Sequence, residues 1–311
     1  MGVQTFEATG FLYFGSIRRW LKKLPNRIGF LIINLVLRPF LLRWLVKVER
    51  LFVVYPERES FADAFTFKWM RNRYMKNTPW IGGLYRQNGK WGIMAVIYIL
   101  PNEFTEERLS IAYSNIEKLR QKIGAKEISC AGTMPGKMKA FGIRENTLET
   151  QITAVSVAKA VQQLRQDHLV ILLGGNGHTG RLVNQELQKN GVPVVVVDLP
   201  KDAYGKVNYQ DWPNRIGGSP FLLLNLIGGK DLQHYLPLMR RGDLLLNEAY
   251  PAPCREVAEK FRDKGIKGFH MVGVKPTFCF PSFPGEYRGG VPCCGAILDD
   301  SLEVVIRDLL N

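Results

Sequence analysis

The sequence predicts an α/β protein with a doubly wound parallel sheet in its C-terminal half, and three observations lead there. Two apolar runs, Leu169 to Leu173 and Val194 to Val197, lack the polar alternation of a half-exposed strand, as strands buried on both faces do. Between them glycines stand at 174, 177 and 180, followed by a helical pattern over 181 to 189. The second run closes on Asp198.

The chain has 311 residues, 46% hydrophobic and 23% charged, enough to bury a large core and to divide into two domains. Its five cysteines, Cys130, Cys254, Cys279, Cys293 and Cys294, form no CxxC pair and no Cys/His cluster. Reduced thiols in a cytosolic compartment and no metal follow as expectations. The formal charge is +14 and is unevenly spread: residues 1–100 carry 16 Lys and Arg against 5 Asp and Glu, the remainder 26 against 23. Such a basic N-terminal third attracts a membrane surface or an acidic protein. No zinc finger, basic zipper or RNA-binding signature accompanies it, so nucleic acid is not an expected partner.

Taken in order, the first element is the stretch "SIRRWLKKLPNRIGFLIINLVLRPFLLRWLVKVER" from Ser16. Its longest run without a charge, Ile28 to Leu37, has ten residues, against roughly 20 needed to span a bilayer. Residues 1–10 lack the basic start of a signal peptide. Residues 1–48 are therefore expected to form basic amphipathic helices in the membrane interface, with Trp20 and Trp44 at headgroup level and Lys and Arg beside anionic lipid. The alternative is a helical pair packed on the protein's own body. An α/β substrate domain is expected over 49–150.

The element over 168–202, "HLVILLGGNGHTGRLVNQELQKNGVPVVVVDLPKD", reads as strand, turn, helix, strand. A glycine-rich turn brings the backbone close to a pyrophosphate, whose charge the N–H groups and dipole of the following helix favour. Gly174, Gly175, Asn176, Gly177, Thr179 and Gly180 are thus expected to hold NADH or NADPH in a Rossmann-type domain spanning 151–311. Asp198 is placed to accept the ribose hydroxyls of NAD, whereas Lys201 is placed to pair with a 2′-phosphate. "FLLLNLIGG" (221–229) and "DLLLNEAYP" (243–251) read as further core strands ending in turns.

The last element is "CCGAILDDSLEVVIRDLL", whose apolar spacing at Ile297, Leu298, Leu302, Val305 and Ile306 predicts a helix with Cys294 near its start. Free cysteine is a common packing residue. A helix N-terminus would also lower a thiol's pKa and make it a nucleophile.

Several blocks in order resemble the cyanobacterial long-chain acyl-(acyl-carrier-protein) reductases and their shikimate-dehydrogenase-like relatives. They are "FVVYPERESFADA" (52–64), "ILPNEFTEERLSIAYSNIEKLRQKIGAKEISCAGTMPG" (99–136), "ENTLETQITAVSVAKAV" (145–161), "VILLGGNGHTGRLV", "LLLNEAYP", "KGFHMVGVK" (267–275) and "CCGAILDD". The resemblance implies transfer of a fatty acyl group from a thioester, on acidic acyl carrier protein or coenzyme A, to Cys294, with Cys293 as the fallback. Hydride from a reduced nicotinamide would then release a fatty aldehyde. It also implies that Asn146 and Thr147 face the substrate crevice, with Gly132 in a loop beside it. Two departures stand out: the family's Gly-Gly-Phe-Thr-Ser-like loop is "AGTMPGK" (131–137) here, and its Gly-Gly-Tyr-Pro is Glu248-Ala249-Tyr250-Pro251.

His270 and Lys275 are available to protonate the leaving thiolate or the aldehyde oxygen, or to form a surface pair at a strand end. A shikimate-type dehydrogenase of a soluble small molecule is a second reading, although no crevice Lys-Asp pair can be assigned. A membrane-docked nucleotide-binding protein without turnover is a third. The expected location is cytoplasmic and peripheral to the membrane.

Overall fold

The computed structural model describes residues 46–311 except 58, 60–62, 64–65, 146–147, 198–217, 229–230, 284, 300 and 311, together with residues 28, 32, 34 and 44. The expected amphipathic segment 1–48 thus lies largely outside the described residues. Within it Ile28, Ile32 and Trp44 are exposed. No helix among the described residues is long and apolar enough to cross a membrane.

Two compact units make up the chain: Met1–Asn146 with Phe278–Ser282, and Thr147–Thr277 with Phe283–Asn311. The first holds a mixed sheet. Strand β1 (Val48–Val54) lies parallel to both β3 (Lys90–Val96) and β4 (Glu127–Cys130), while β2 (Trp80–Gln87) runs antiparallel to β3. A short segment from late in the chain, Phe278–Phe280, adds the antiparallel edge beside β2. Leu51 and Val53 of β1 turn to a core shared with Leu109, Ala112, Ile116, Leu119 and Ile123 of a helix over Glu106–Ile123. These recur at the three- and four-residue spacing of one helical face. That helix starts at Thr105, whose hydroxyl accepts from Arg108 N, carries Glu106 and Glu107 in its first turn and stops at a left-handed Gly124.

The second unit is the doubly wound sheet expected from the sequence. Strands β5 (Leu169–Leu173), β6 (Val194–Val197), β7 (Phe221–Asn225), β8 (Leu244–Asn247) and β9 (Lys267–Val274) are parallel, in the order 9-8-7-5-6. Their unbroken apolar character has a direct cause. Val170, Leu172, Leu222 and Leu224 enter the core on one face, with residues of the helices Leu148–Leu164 and His178–Lys189. Ile171, Leu173, Phe221 and Leu223 enter the core on the other, with Tyr235, Met239 and Phe261. With no face left to water, the positions of β5 and of β7 up to Leu224 favour apolar residues.

One expectation fails here. The segment after Cys294 is not a helix: Cys293–Gly295 form a single 3-10 turn, the chain then extends, and Val304–Asp308 pair antiparallel with β9 at the sheet edge. The apolar residues that suggested a helical stripe are buried by a different route, Leu302 and Val304 in the same core as the helix Leu148–Leu164. The run Val304-Val305-Ile306 is β-branched and suits a pleated edge, and β9 would otherwise leave its backbone donors and acceptors unpaired.

Candidate active site

The carboxyl ends of the parallel strands carry the unit's polar residues. At the end of β5 the chain turns through Gly174 (φ +81°) and enters its helix at Gly177. A Cβ on Gly180 would lie 2.1 Å from the Gly174 carbonyl oxygen, and one on Gly175 would lie 2.4 Å from Val196. Those two positions exclude any side chain because helix, turn and β6 approach so closely. Gly177 differs: it is exposed, and a Cβ there meets only Gly174 O, at 3.3 Å. The helix begins with no side-chain cap and no acid in its first turn. An uncapped helix start behind a glycine turn fits a pyrophosphate, whose charge its N–H groups would hold. β5 has β6 on one side and β7 on the other, so the winding reverses at this point, where doubly wound sheets take their ligand. Asn176 and Thr179 border the turn; Asp198 and Lys201 lie outside the described residues.

Further along the same sheet, both β7 and β8 end in a buried asparagine. Asn225 Nδ2 donates to Asn247 Oδ1 at 2.6 Å, which fixes the Asn247 amide. Asn247 Nδ2 then donates to Ala249 O at 2.7 Å and lies 3.0 Å from His270 Nδ1. Nδ1 also lies 3.1 Å from the Asn247 carbonyl oxygen, so both tautomers of the neutral ring have a partner there: the amide N–H favours a proton on Nε2 and the carbonyl a proton on Nδ1. Burial favours that neutral form and pushes the His270 pKa down; the backbone of Asn247 opposes the shift and Arg307 adds to it. The buried Nε2 has no hydrogen-bond partner among the described residues and stands 3.7 Å from Glu286 Oε2, which itself accepts from Ala252 N.

The 3-10 turn brings the cysteines to the next residue of β8's exit. Cys293 Sγ lies 3.5 Å from Glu248 Oε1 and 3.5 Å from Thr153 Oγ1. The Cys293 thiol is pushed well up, first by its hydrogen bond with Cys294 and then by burial. The Glu248 carboxyl is also pushed well up, by burial and then by Cys293. Tyr287 is raised for the same chief reason, burial, with both cysteines, Glu248 and Tyr250 adding to it. Tyr250 stacks on Tyr287 with ring centroids 5.4 Å apart. Glu248, Cys293, Cys294 and Tyr287 nevertheless all keep some accessible surface. The shifts of Glu248, Cys293 and Tyr287 thus favour their neutral forms at a place a substrate can reach, an arrangement typical of acid-base sites.

Of the residues singled out from sequence, the structure gathers His270, Cys293 and Cys294 on one sheet edge with the glycine turn. It does not add Lys275, whose exposed ammonium pairs with Glu303 at 2.7 Å. Gly132 belongs to the first unit, where a Cβ would lie 2.4 Å from Tyr55 Oη, the acceptor for Thr133 N. Its need for glycine is accounted for by that packing. Asn146 and Thr147 fall outside the described residues. Sequence reasoning missed Glu248, Tyr287, Thr153 and the two asparagines. The repeated ending "LLLN" of two apolar strands was the available signal.

No protein-family model matches the sequence, and no curated protein does. Among solved structures, shikimate dehydrogenase from Thermotoga maritima is 14% identical, covering 70% of this chain and 86% of its own, with a TM-score of 0.34. An NAD-dependent malic enzyme from the same organism is 16% identical over 86% and 75%, with a TM-score of 0.36. A putative LacI transcriptional regulator from Bacteroides fragilis is 11% identical over 72% and 84%, at 0.30. Likenesses this slight carry no argument about the chemistry of this chain.

Two outcomes test the site. Gly177→Val should give a folded protein that no longer binds NADH or NADPH in calorimetry, because the side chain enters the space above the helix start; undiminished binding would remove the turn from the site. The raised Glu248 pKa means that the folded state holds a proton the unfolded chain releases near the ordinary 4.5. Stability is therefore lost as pH rises above that value, by about 1.4 kcal/mol for each unit of displacement. Glu248→Gln should abolish that loss, so urea midpoints from pH 5 to 8 should fall in the parent and fall less in the variant.

Proposed function

We propose that the chain is a nicotinamide-dependent oxidoreductase and, within that class, an acyl-thioester reductase that carries its acyl group on Cys294. The observation that carries the proposal is the sharing of one sheet edge by the glycine turn of β5 and the Cys-Glu-His cluster at β8 and β9. These strands are two and three places from β5, or about 10 and 14 Å at the usual strand spacing. A dinucleotide anchored by its pyrophosphate at the turn would extend along this edge. When bound, a reduced nicotinamide would supply hydride.

The chain's own residues supply the rest. Loss of the expected helix removes the dipole as the means of activating Cys294, and its immediate neighbours replace it. Cys293, kept neutral and hydrogen-bonded to Cys294, is a donor to charge on the Cys294 sulfur. Forming a thioester on that sulfur splits reduction into acyl transfer and hydride transfer. Neutral His270, in the tautomer whose Nδ1 accepts from the Asn247 amide, would offer its Nε2–H to a carbonyl oxygen on which charge develops. The Tyr250–Tyr287 stack offers an apolar wall with polar tips. A fatty acyl chain suits such a wall, and an acidic carrier protein suits the basic first hundred residues.

The same basic segment supports peripheral attachment to anionic membrane. Trp44 is 85% exposed, and Ile28 and Ile32 are close to half exposed, a pattern that leaves apolar side chains available to lipid.

Incubation with octanoyl-N-acetylcysteamine in the absence of nicotinamide should add one octanoyl group to the parent, located by peptide mass spectrometry on Cys294. Cys294→Ser should remain unlabelled and lose reductase activity by about a thousandfold or more, because its hydroxyl is hardly ionised. Labelling confined to Cys293 would move the nucleophile by one residue, and an unlabelled parent would sink the thioester mechanism. Separately, the full chain should co-sediment with phosphatidylserine vesicles and be released by salt, whereas a chain lacking residues 1–48 should stay in solution. Equal sedimentation of the two would refute the membrane role.

A further inference from the structure

Glu248 stands where the resembling reductases carry glycine, and the proposed chemistry above gives it no task. A carboxyl placed among protein atoms without a cation is costly to keep. Glu248 makes no ion pair among the described residues, and its side chain has one hydrogen-bond contact, Cys293 Sγ at 3.5 Å. Cys293 in turn is hydrogen-bonded to Cys294. The three groups form a chain from a carboxyl, through one thiol, to the thiol proposed to carry the acyl group. Among the described residues, the titratable groups that act with Glu248 are weak acids: Cys293 on the 3-10 turn, and Tyr287 on the turn Gly285–Tyr287, which Cys294 and Tyr250 also influence. Thr153, on the helix Leu148–Leu164, touches Cys293 and does not titrate. His270 on β9 is turned to Asn247 and Glu286 instead.

We propose that Glu248 is the proton donor for aldehyde release, returning a proton through Cys293 to the Cys294 sulfur. The inference rests on the acyl-thioester reading. In the second half-reaction, hydride from the reduced nicotinamide forms a C–H bond at the thioester carbonyl carbon, and the carbon's bond to Cys294 sulfur breaks as the carbonyl re-forms. Aldehyde leaves and Cys294 remains as thiolate. Cys293 gives its S–H proton to that thiolate and takes one from the Glu248 carboxyl, which regains a proton from solvent. One hydride and one proton are thus consumed for each aldehyde. Without the proton, the thiolate adds back to the aldehyde just formed. A carboxyl against the Cys293 sulfur suits the task, because burial pushes its titration up and favours the protonated form that can give a proton. Glu248 acts through Cys293 and is a positioning residue in this scheme.

The test separates the two half-reactions. Octanoylated enzyme is mixed with NADPH or NADH, and aldehyde release is followed in one turnover from pH 6 to 9. In the parent the rate should fall as pH rises through the Glu248 titration. Glu248→Gln should release aldehyde about a hundredfold more slowly at neutral pH and lose that dependence, while Glu248→Asp should restore part of both rate and profile. A parent-like rate and pH profile in Glu248→Gln would overturn the inference. If the parent forms no acyl adduct, the acyl-thioester reading fails on its own account, and the pH dependence of Cys294 alkylation by iodoacetamide decides the relay. A shift of that profile in both Glu248→Gln and Cys293→Ser would keep it, and identical profiles in all three proteins would refute it.

Discussion

A parallel sheet covered on both faces has nowhere to place polar chemistry except its strand ends. In the second unit every residue from Val170 to Leu173 and from Phe221 to Asn225 is buried, with successive side chains alternating between two apolar cores. Any polar side chain within those strands would have to find a partner there or pay for its desolvation. Asn225 and Asn247 mark where that regime ends, one residue past the last leucine of each strand, and they satisfy each other. From them the polar network passes to His270, and one residue further on the chain places Glu248 against Cys293.

The electrostatics of this edge favour uncharged groups. Glu248, Cys293 and Tyr287 each have their pKa pushed up, burial first for the carboxyl and the phenol and the neighbouring thiol first for Cys293. His270 has its pKa pushed down. All four shifts favour the neutral species, so the cluster holds protons rather than charge. Two other carboxylates of the unit are treated in the opposite manner: Glu303 pairs with Lys275 and Glu259 with Arg255, both at the surface. Such exposed pairs contribute little to stability. An uncompensated carboxyl beside a thiol costs stability, and that cost is the physical reason to assign it a role in chemistry.

The expected activation of Cys294 rested on a helix that does not form. Ile297, Leu298, Leu302, Val305 and Ile306 match a helical stripe, yet they also fit an extended segment whose last strand closes the sheet edge. Periodicity over so short a stretch does not separate the two, and the unpaired edge of β9 decided between them. Tertiary packing still delivers Glu248 and Thr153 to Cys293, and both thiols act on the Tyr287 phenol. Lys275 shows the converse. It is five residues from His270 in sequence, yet its ammonium is held by Glu303 across the edge pairing.

The sequence by itself determined the doubly wound sheet and the glycine turn, since both are written in local terms. Apolar runs without alternation require two covered faces, and within one strand-turn-helix-strand unit glycine is demanded by the left-handed turn at 174, by the Val196 side chain at 175 and by the Gly174 carbonyl at 180. Only the tertiary structure decided which polar groups meet. Thr153 and Cys293 are 140 residues apart and Glu248 and Cys293 are 45 apart, so no local pattern encodes their contact. Their pKa shifts arise from burial and from one another, and burial is a property that a residue acquires from the whole fold.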